Sequence, residues 1–278
     1  MLFTLPLFLI LRNNWDIILK EKTIMNEFIL KNITYTYPDM DEPTLKDFSV
    51  EIPNGVTSVI GENGTGKSTM LLLAGGVVLP EIGDVFIDGK NTKDFVSMEE
   101  RQAAVSFVFQ NMEFESEEPS GDLLRYVYEN GFHAEKKESF LQELINVFEL
   151  SNVLTRKTQE VSKGELQRII MAFSLLYGSK SLIMDEPVFA LEDYQKEKAM
   201  EYLSDYSRKN SMSLIFCAHE LDLCEKYSDN TCIFFRDKNP IVGNTNEVFT
   251  KENLEAAYNV PLAMLKHKEN LYRDILEN

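Results

Sequence analysis

The 278-residue sequence predicts an α/β fold, a mixed sheet flanked by helices with a helical insertion in its middle. Three observations carry this. Short apolar runs that read as buried strands alternate with segments of helical period. A glycine-rich stretch, Gly61 to Ser68, lies between one such strand and one such helix. Beyond Gln110 the pattern turns acidic and then helical before the next apolar strand.

Taken in order, residues 28–37 (FILKNITYTY) alternate well enough to read as a strand. Val50-Glu-Ile follows, then a turn at Pro53-Asn-Gly55 and a second strand from Val56 to Ile60. Ser68 to Ala74 reads as a helix. Val85 to Ile87 ends at the turn signal Asp88-Gly89, and Ala104 to Phe109 is a short apolar strand ending at Gln110. Residues 113–118 (EFESEE) stop at Pro119, and helices are expected over 122–130 and 138–150. Phe140, Leu141, Leu144, Ile145 and Phe148 share one face of the second. Residues 111–165 therefore read as a mostly helical subdomain. Residues 165–177 form a strongly apolar helix. Leu182-Ile-Met184 is a buried strand before an acidic pair, and 192–209 is a helix polar on one side. Leu214 to Ala218 is another buried strand, before His219, and helices run from 252 to the end.

Composition narrows the class. The chain is 44% hydrophobic and 26% charged, which excludes a disordered, collagenous or disulfide-stapled protein and allows a large core. A net charge of −17 argues against generic binding to a nucleic-acid backbone, so no nucleic-acid partner is expected. A local anion site survives that argument, because a phosphate loop works through backbone N–H groups. Cys217, Cys224 and Cys232 have no C-x-x-C spacing, which leaves neither a zinc signature nor a disulfide framework and makes buried thiols the expectation. The apolar run Met1 to Leu11 is too short to span a bilayer, which takes about 20 residues. It also lacks a positive n-region and a small-residue cleavage site. An upstream extension with Met25 as the true start, a short interfacial anchor and a poor signal peptide all fit. The first is expected, because organised sequence begins at Asn26.

The chemistry sits in three places. Gly61, Asn63, Gly64, Thr65, Gly66, Lys67 and Ser68 belong to a stretch that fits G-x-x-x-x-G-K-[ST] at every fixed position, and Thr69 follows it. The glycines let consecutive N–H groups converge on one anion, and the next helix adds the positive end of its dipole. Lys67 is placed to reach the β- and γ-phosphates, and Ser68 to offer a hydroxyl to Mg²⁺. Asp185 ends a buried strand and can hold Mg²⁺ through water. Glu186, next to it, is placed to polarise a water for attack on the γ-phosphate. His219 ends the following buried strand, where ligands sit in open α/β sheets.

These residues together resemble the nucleotide-binding subunit of an ATP-binding cassette (ABC) transporter, over about residues 27–262 and with motifs in the family's order. The resemblance implies a phosphate-loop NTPase core with an antiparallel β-subdomain and a helical arm. Tyr37, before Pro38, matches the aromatic residue that stacks on adenine, with Tyr35 the alternative if the register is off. Gln110 matches the glutamine that contacts Mg²⁺ and couples to the membrane domain. Ser162-Lys-Gly164-Glu165 matches the signature motif, which in the family closes over ATP held by a second subunit. His219 matches the switch histidine that contacts the γ-phosphate. ATP and Mg²⁺ are then the cofactors. The implied partners are an integral-membrane permease and a second ABC ATPase subunit, identical or different. The place of work is the cytoplasmic face of the membrane. Residues 1–25 become an extension, 26–245 the ATPase domain and 246–278 a helical tail.

The sequence departs from the family pattern at Lys163, where glycine is usual, at Glu165, where glutamine is usual, and at Glu192, where aspartate is usual. A β-carbon at 163 could crowd a close approach. A degenerate site paired with a better one in a heterodimer, a regulatory subunit with weak hydrolysis and a soluble non-transport ABC ATPase therefore remain open. The stretch His219 to Asp229 and the tail Asn246 to Val260 resemble importers of iron chelates, haem and cobalamin, with energy-coupling importers of vitamins and metals as close competitors.

Overall fold

The computed structural model describes residues 28–261, 264 and 265. The expectation for residues 1–25 lies outside the described residues, as does the tail beyond 265. Along the chain run β1 (Phe28–Tyr35), β2 (Leu45–Ile52), β3 (Val56–Ile60), α1 (Lys67–Ala74), β4 (Ile82–Ile87) and β5 (Lys90–Asn91). Next come α2 (Met98–Ala104), β6 (Val105–Val108), α3 (Ser120–Asn130), α4 (Glu138–Val147), α5 (Lys163–Tyr177) and β7 (Ser181–Asp185). The remainder is α6 (Asp193–Asn210), β8 (Ser213–Cys217), α7 (Leu221–Tyr227), β9 (Asn230–Ile233), β10 (Ile241–Asn244), α8 (Thr245–Val248) and α9 (Lys251–Tyr258).

Two sheets result. One is antiparallel, in the order β2-β1-β4-β5, and the other is mixed, in the order β10-β9-β3-β8-β7-β6. In the mixed sheet all pairs are parallel except β10 with β9. Strands β3, β7 and β8 are buried at every residue, as parallel strands covered on both faces must be. Their alternate side chains feed two cores, because successive residues of a strand point to opposite faces. Ile60, Met184 and Phe216 pack with the helices α3 to α7. Val59, Ile183 and Ile215 pack with α1 and the antiparallel sheet. Leu141, Leu144 and Ile145 of α4 are buried in the first core, the face its period predicted.

Several boundaries moved for local reasons. Strand β2 begins five residues before Val50, because Asp47 at φ 50° breaks its alternation. Helix α4 ends at Val147, short of residue 150, where Glu149 turns left-handed at φ 55°. Helix α2, capped by Ser97 Oγ accepting the Glu100 N–H at 3.1 Å, has no buried residue and so shows no apolar period to read. Strands β9 and β10 are four residues each and mix polar with apolar side chains. Cys217, Cys224 and Cys232 are buried free thiols. Among the described residues no helix is long and apolar enough to cross a membrane.

Candidate active site

The C-terminal ends of β3, β6, β7 and β8 open onto one cavity of about 420 Å³. The loop after β3 forms one wall. Gly61, Gly64 and Gly66 hold φ of 138°, 78° and 96°, a region that side chains rarely tolerate. That curl delivers the chain to the N-terminus of α1, where unpaired N–H groups and the helix dipole favour an anion. Asn63, Gly64, Gly66, Lys67, Ser68 and Thr69 line the cavity, and Thr65 braces the loop by donating its hydroxyl to Glu62 O at 2.8 Å. Lys67 is only 7% exposed, and its ammonium donates to Gly61 O at 2.7 Å and Glu62 O at 2.8 Å. Burial pulls its pKa below the usual lysine value, against the nearby Asp185 and Glu186. A buried cation aimed along a glycine-rich anion loop suits a polyphosphate.

Gln110, Glu186 and His219 form the opposite wall. Glu186 sits in a left-handed conformation at φ 52°, held there by its N–H donating to Cys217 O at 2.9 Å. Gln110 Nε2 donates to Glu186 Oε2 at 2.7 Å, and His219 Nε2 lies 2.8 Å from Oε1. The strand order β8-β7-β6 brings together three residues spread over more than a hundred positions. The hydrogen bond from His219 holds the Glu186 carboxyl below its usual range, and the same bond raises the histidine above its own. The raised histidine stabilises the fold fully below the unfolded histidine pKa and loses that contribution as pH rises through the raised folded value. The lowered carboxylate contributes above the unfolded glutamate pKa and loses it as pH falls through the lowered folded value. The melting-temperature gap between wild type and His219→Ala is therefore largest in mildly acidic solution and shrinks towards alkaline pH. Melting curves across pH 4–9 check this, and a gap flat in pH would remove the charged pair.

Asp185, 6% exposed at the end of β7, accepts hydrogen bonds from the Ser68 hydroxyl and the Cys217 thiol. Burial raises its pKa and also pushes the Cys217 thiol up, which keeps that thiol a donor. Asp185 Oδ1 is buried and has no hydrogen-bond partner among the described residues. An orphaned carboxylate oxygen beside a serine hydroxyl is a donor set that fits Mg²⁺, which takes one or two protein oxygens and fills its shell with water and phosphate. When bound there the ion would neutralise phosphate charge. Ser68 and Asp185 would hold it.

Tyr37 does not itself line the cavity; its hydroxyl lies 3.2 Å from Oγ1 of Thr69, which does. Tyr35 is buried behind it, its ring edge-on at 5.1 Å. Ser162, Gly164 and Glu165 do not line this cavity. They cap α5 instead: Ser162 Oγ accepts the Glu165 N–H at 3.3 Å, and Glu165 Oε2 accepts the Ser162 N–H at 2.7 Å. Glu165 so takes up a helix-terminal donor, and Arg156 lies 3.4 Å from its carboxylate. The Lys163 side chain is 81% exposed, with Nζ 3.6 Å from Glu113. Gly164 is the position that requires glycine, because a Cβ there would meet Ala190 O at 2.8 Å. Gly164→Ala is expected to destabilise the fold by about 1–3 kcal/mol, read as a lower melting temperature. An unchanged melting temperature would mean that α5 and the 187–190 loop are not in close contact. Glu192 is exposed at the N-cap of α6, where its N–H donates to Gln195 Oε1 at 3.4 Å.

Three residues at the cavity escaped sequence reasoning. Cys217 read as a bland buried thiol, although its place two residues before His219 puts it at a strand end. Thr44 and Phe189 line the cavity and carried no signal.

A phosphate loop, an acid pair ending one strand and a histidine ending the next define a phosphate-loop nucleotide hydrolase. Residues 45–189 match the ABC transporter family. The chain is 30% identical, over 232 residues, to the energy-coupling factor transporter ATP-binding protein EcfA of Methanosphaera stadtmanae, covering 82% of this chain and 83% of that one. Its fold is that of the ATP-binding cassette MJ0796 in a dimeric post-hydrolysis state with ADP and phosphate, with a TM-score of 0.66, 23% identity and coverage of 78% of this chain and 98% of that one. It is also that of cbiO1 from Clostridium perfringens, part of the ABC transporter complex cbiONQ, with a TM-score of 0.65, 22% identity and coverage of 88% and 99%. The chain belongs to the ABC transporter family, as an ATP-binding subunit that hydrolyses ATP.

Proposed function

We propose that this chain binds MgATP in the cavity at the strand ends and hydrolyses it to drive a separate integral-membrane permease from the cytoplasmic face of the membrane. The observation that carries the reading is Glu186, held by Gln110 on one oxygen and His219 on the other, opposite Lys67. In this reading Gly61 to Thr69 cradle the phosphates, and Tyr37 offers its ring to the adenine. Ser68, Gln110 and Asp185 hold Mg²⁺. Glu186 positions the attacking water and accepts its proton. His219 orients that carboxylate and reaches the γ-phosphate.

Ser162, Gly164 and Glu165 serve a second ATPase subunit's nucleotide, which makes the working unit a dimer. Their standing apart from this chain's own cavity supports that division of labour. Phe109 and Met112 beside Gln110 are partly exposed, an apolar edge suited to a membrane partner. The ATPase domain takes residues 26–245, with a helical arm near 111–165 and a tail from 246. The relative named for energy-coupling factor transporters draws the partner towards that type of importer, rather than the iron-chelate, haem or cobalamin type that the tail resembled.

The test is recovery of the full-length chain from gently solubilised native membranes, with every stoichiometric partner identified. A multi-spanning protein is expected. A second, different ATPase in the same complex would make the dimer asymmetric and give Lys163 and Glu192 a context. Only soluble partners, found reproducibly, would overturn the transport reading.

A further inference from the structure

The first residue of the phosphate loop is tied to helix α9. Gly61 N–H donates to the Tyr258 hydroxyl at 3.1 Å, across 197 residues of sequence. Tyr258 is the last residue of α9, which is seated by buried Leu254 and Ala257 in the helical-side core. Its N-terminus is capped by Thr250 Oγ1, which accepts the Asn253 N–H at 3.3 Å.

The residue so gripped is the one whose shape the loop depends on. Gly61 has φ 138°, and a Cβ there would meet Phe234 O at 2.7 Å, so no side chain can stand at this position and stiffen it. A glycine without such a restraint samples a wide range of φ. The Gly61 carbonyl, one torsion pair further on, accepts from the Lys67 ammonium at 2.7 Å, and the Glu62 carbonyl does so at 2.8 Å. The Glu62 side chain is held in turn by Arg236 at 2.5 Å. Both ends of the Gly61 torsions are thus anchored, by the Tyr258 hydroxyl at the N–H and by Lys67 at the carbonyl.

We propose that Tyr258 is a positioning residue of the nucleotide site, its hydroxyl preorganising Gly61 and through it the phosphate loop and Lys67, so that seating of α9 sets affinity for the phosphates. This rests on the reading of Gly61 to Ser68 as the phosphate site. A loop fixed beforehand loses less freedom when the ligand binds, and the saving appears in affinity. Tyr258 touches no reacting atom, so the rate of the chemical step does not depend on it.

The experiment compares wild type, Tyr258→Phe and Lys67→Ala in the full-length chain. Tyr258→Phe keeps the ring and removes the hydroxyl that accepts from the Gly61 N–H. It is expected to raise KM for ATP and the Kd of ATP and ADP by about three- to tenfold, the range a hydrogen bond commands. It is expected to change kcat by less than twofold. Hydrogen exchange without nucleotide should quicken in the peptide covering the phosphate loop and stay as in wild type in the helical arm. This last readout keeps the test sharp if the variant also melts lower. Unchanged affinity with unchanged exchange at the loop overturns the proposal, and so does a uniform rise in exchange with kcat falling in step. If Lys67→Ala also leaves affinity unchanged, the phosphate-site reading itself fails. If Lys67→Ala weakens binding and Tyr258→Phe does not, only the role of Tyr258 fails.

Discussion

Replacing Glu186 by glutamine is expected to lower ATP turnover by about two to four orders of magnitude while leaving ATP binding intact. The glutamine keeps the length and shape of the side chain, so the left-handed turn at residue 186 and its backbone bond to Cys217 O survive. The carboxylate oxygens that now accept from Gln110 Nε2 and face His219 Nε2 become one carbonyl and one amide. An amide accepts no proton from an attacking water, and one of the two flanking contacts is lost. The removed negative charge would have faced the γ-phosphate, so affinity stays the same or tightens. Steady-state turnover and equilibrium binding, measured on the same preparation, separate the two effects. Turnover at the wild-type rate would take Glu186 out of the chemistry.

Lys67→Ala is expected to fail one step earlier, at binding. The ammonium is buried and already directed by two loop carbonyls, so little side-chain freedom remains to be lost when a phosphate is engaged. Deleting a buried charged partner of this kind weakens binding by about two orders of magnitude or more. Titration calorimetry with ATP measures the loss, and a melting curve of the free variant shows that the fold survives. An affinity equal to that of wild type would count against the whole assignment of the loop. The two variants therefore divide the site into its binding wall and its catalytic wall.

The two walls differed in how legible they were. The binding wall is a contiguous stretch, Gly61 to Thr69, and its chemistry follows from residue types at fixed spacing. The acid pair and His219 were readable because each follows an unbroken apolar run, and such runs become the buried parallel strands β7 and β8. Elements without an apolar period were hidden. Helix α2 buries nothing, and β10 buries none of its four residues. The start of β2 was masked by the left-handed Asp47. Gln110 was found through the family resemblance, because a glutamine after a short strand carries no signal of its own.

Local order along the chain was enough to specify the phosphate loop, the buried strands, the acid pair and the α/β class, because torsional preference and the period of apolar residues act over a few positions. Which side chains meet was decided by the sheet. The order β10-β9-β3-β8-β7-β6 sets Gln110 and His219 on either side of Glu186 and the Cys217 thiol against Asp185, while the packing of α9 onto the helical-side core brings the Tyr258 hydroxyl to Gly61. Those contacts join segments up to 197 residues apart. No period or spacing encodes them, since they arise when strands distant in sequence become neighbours and their ends converge on one cavity.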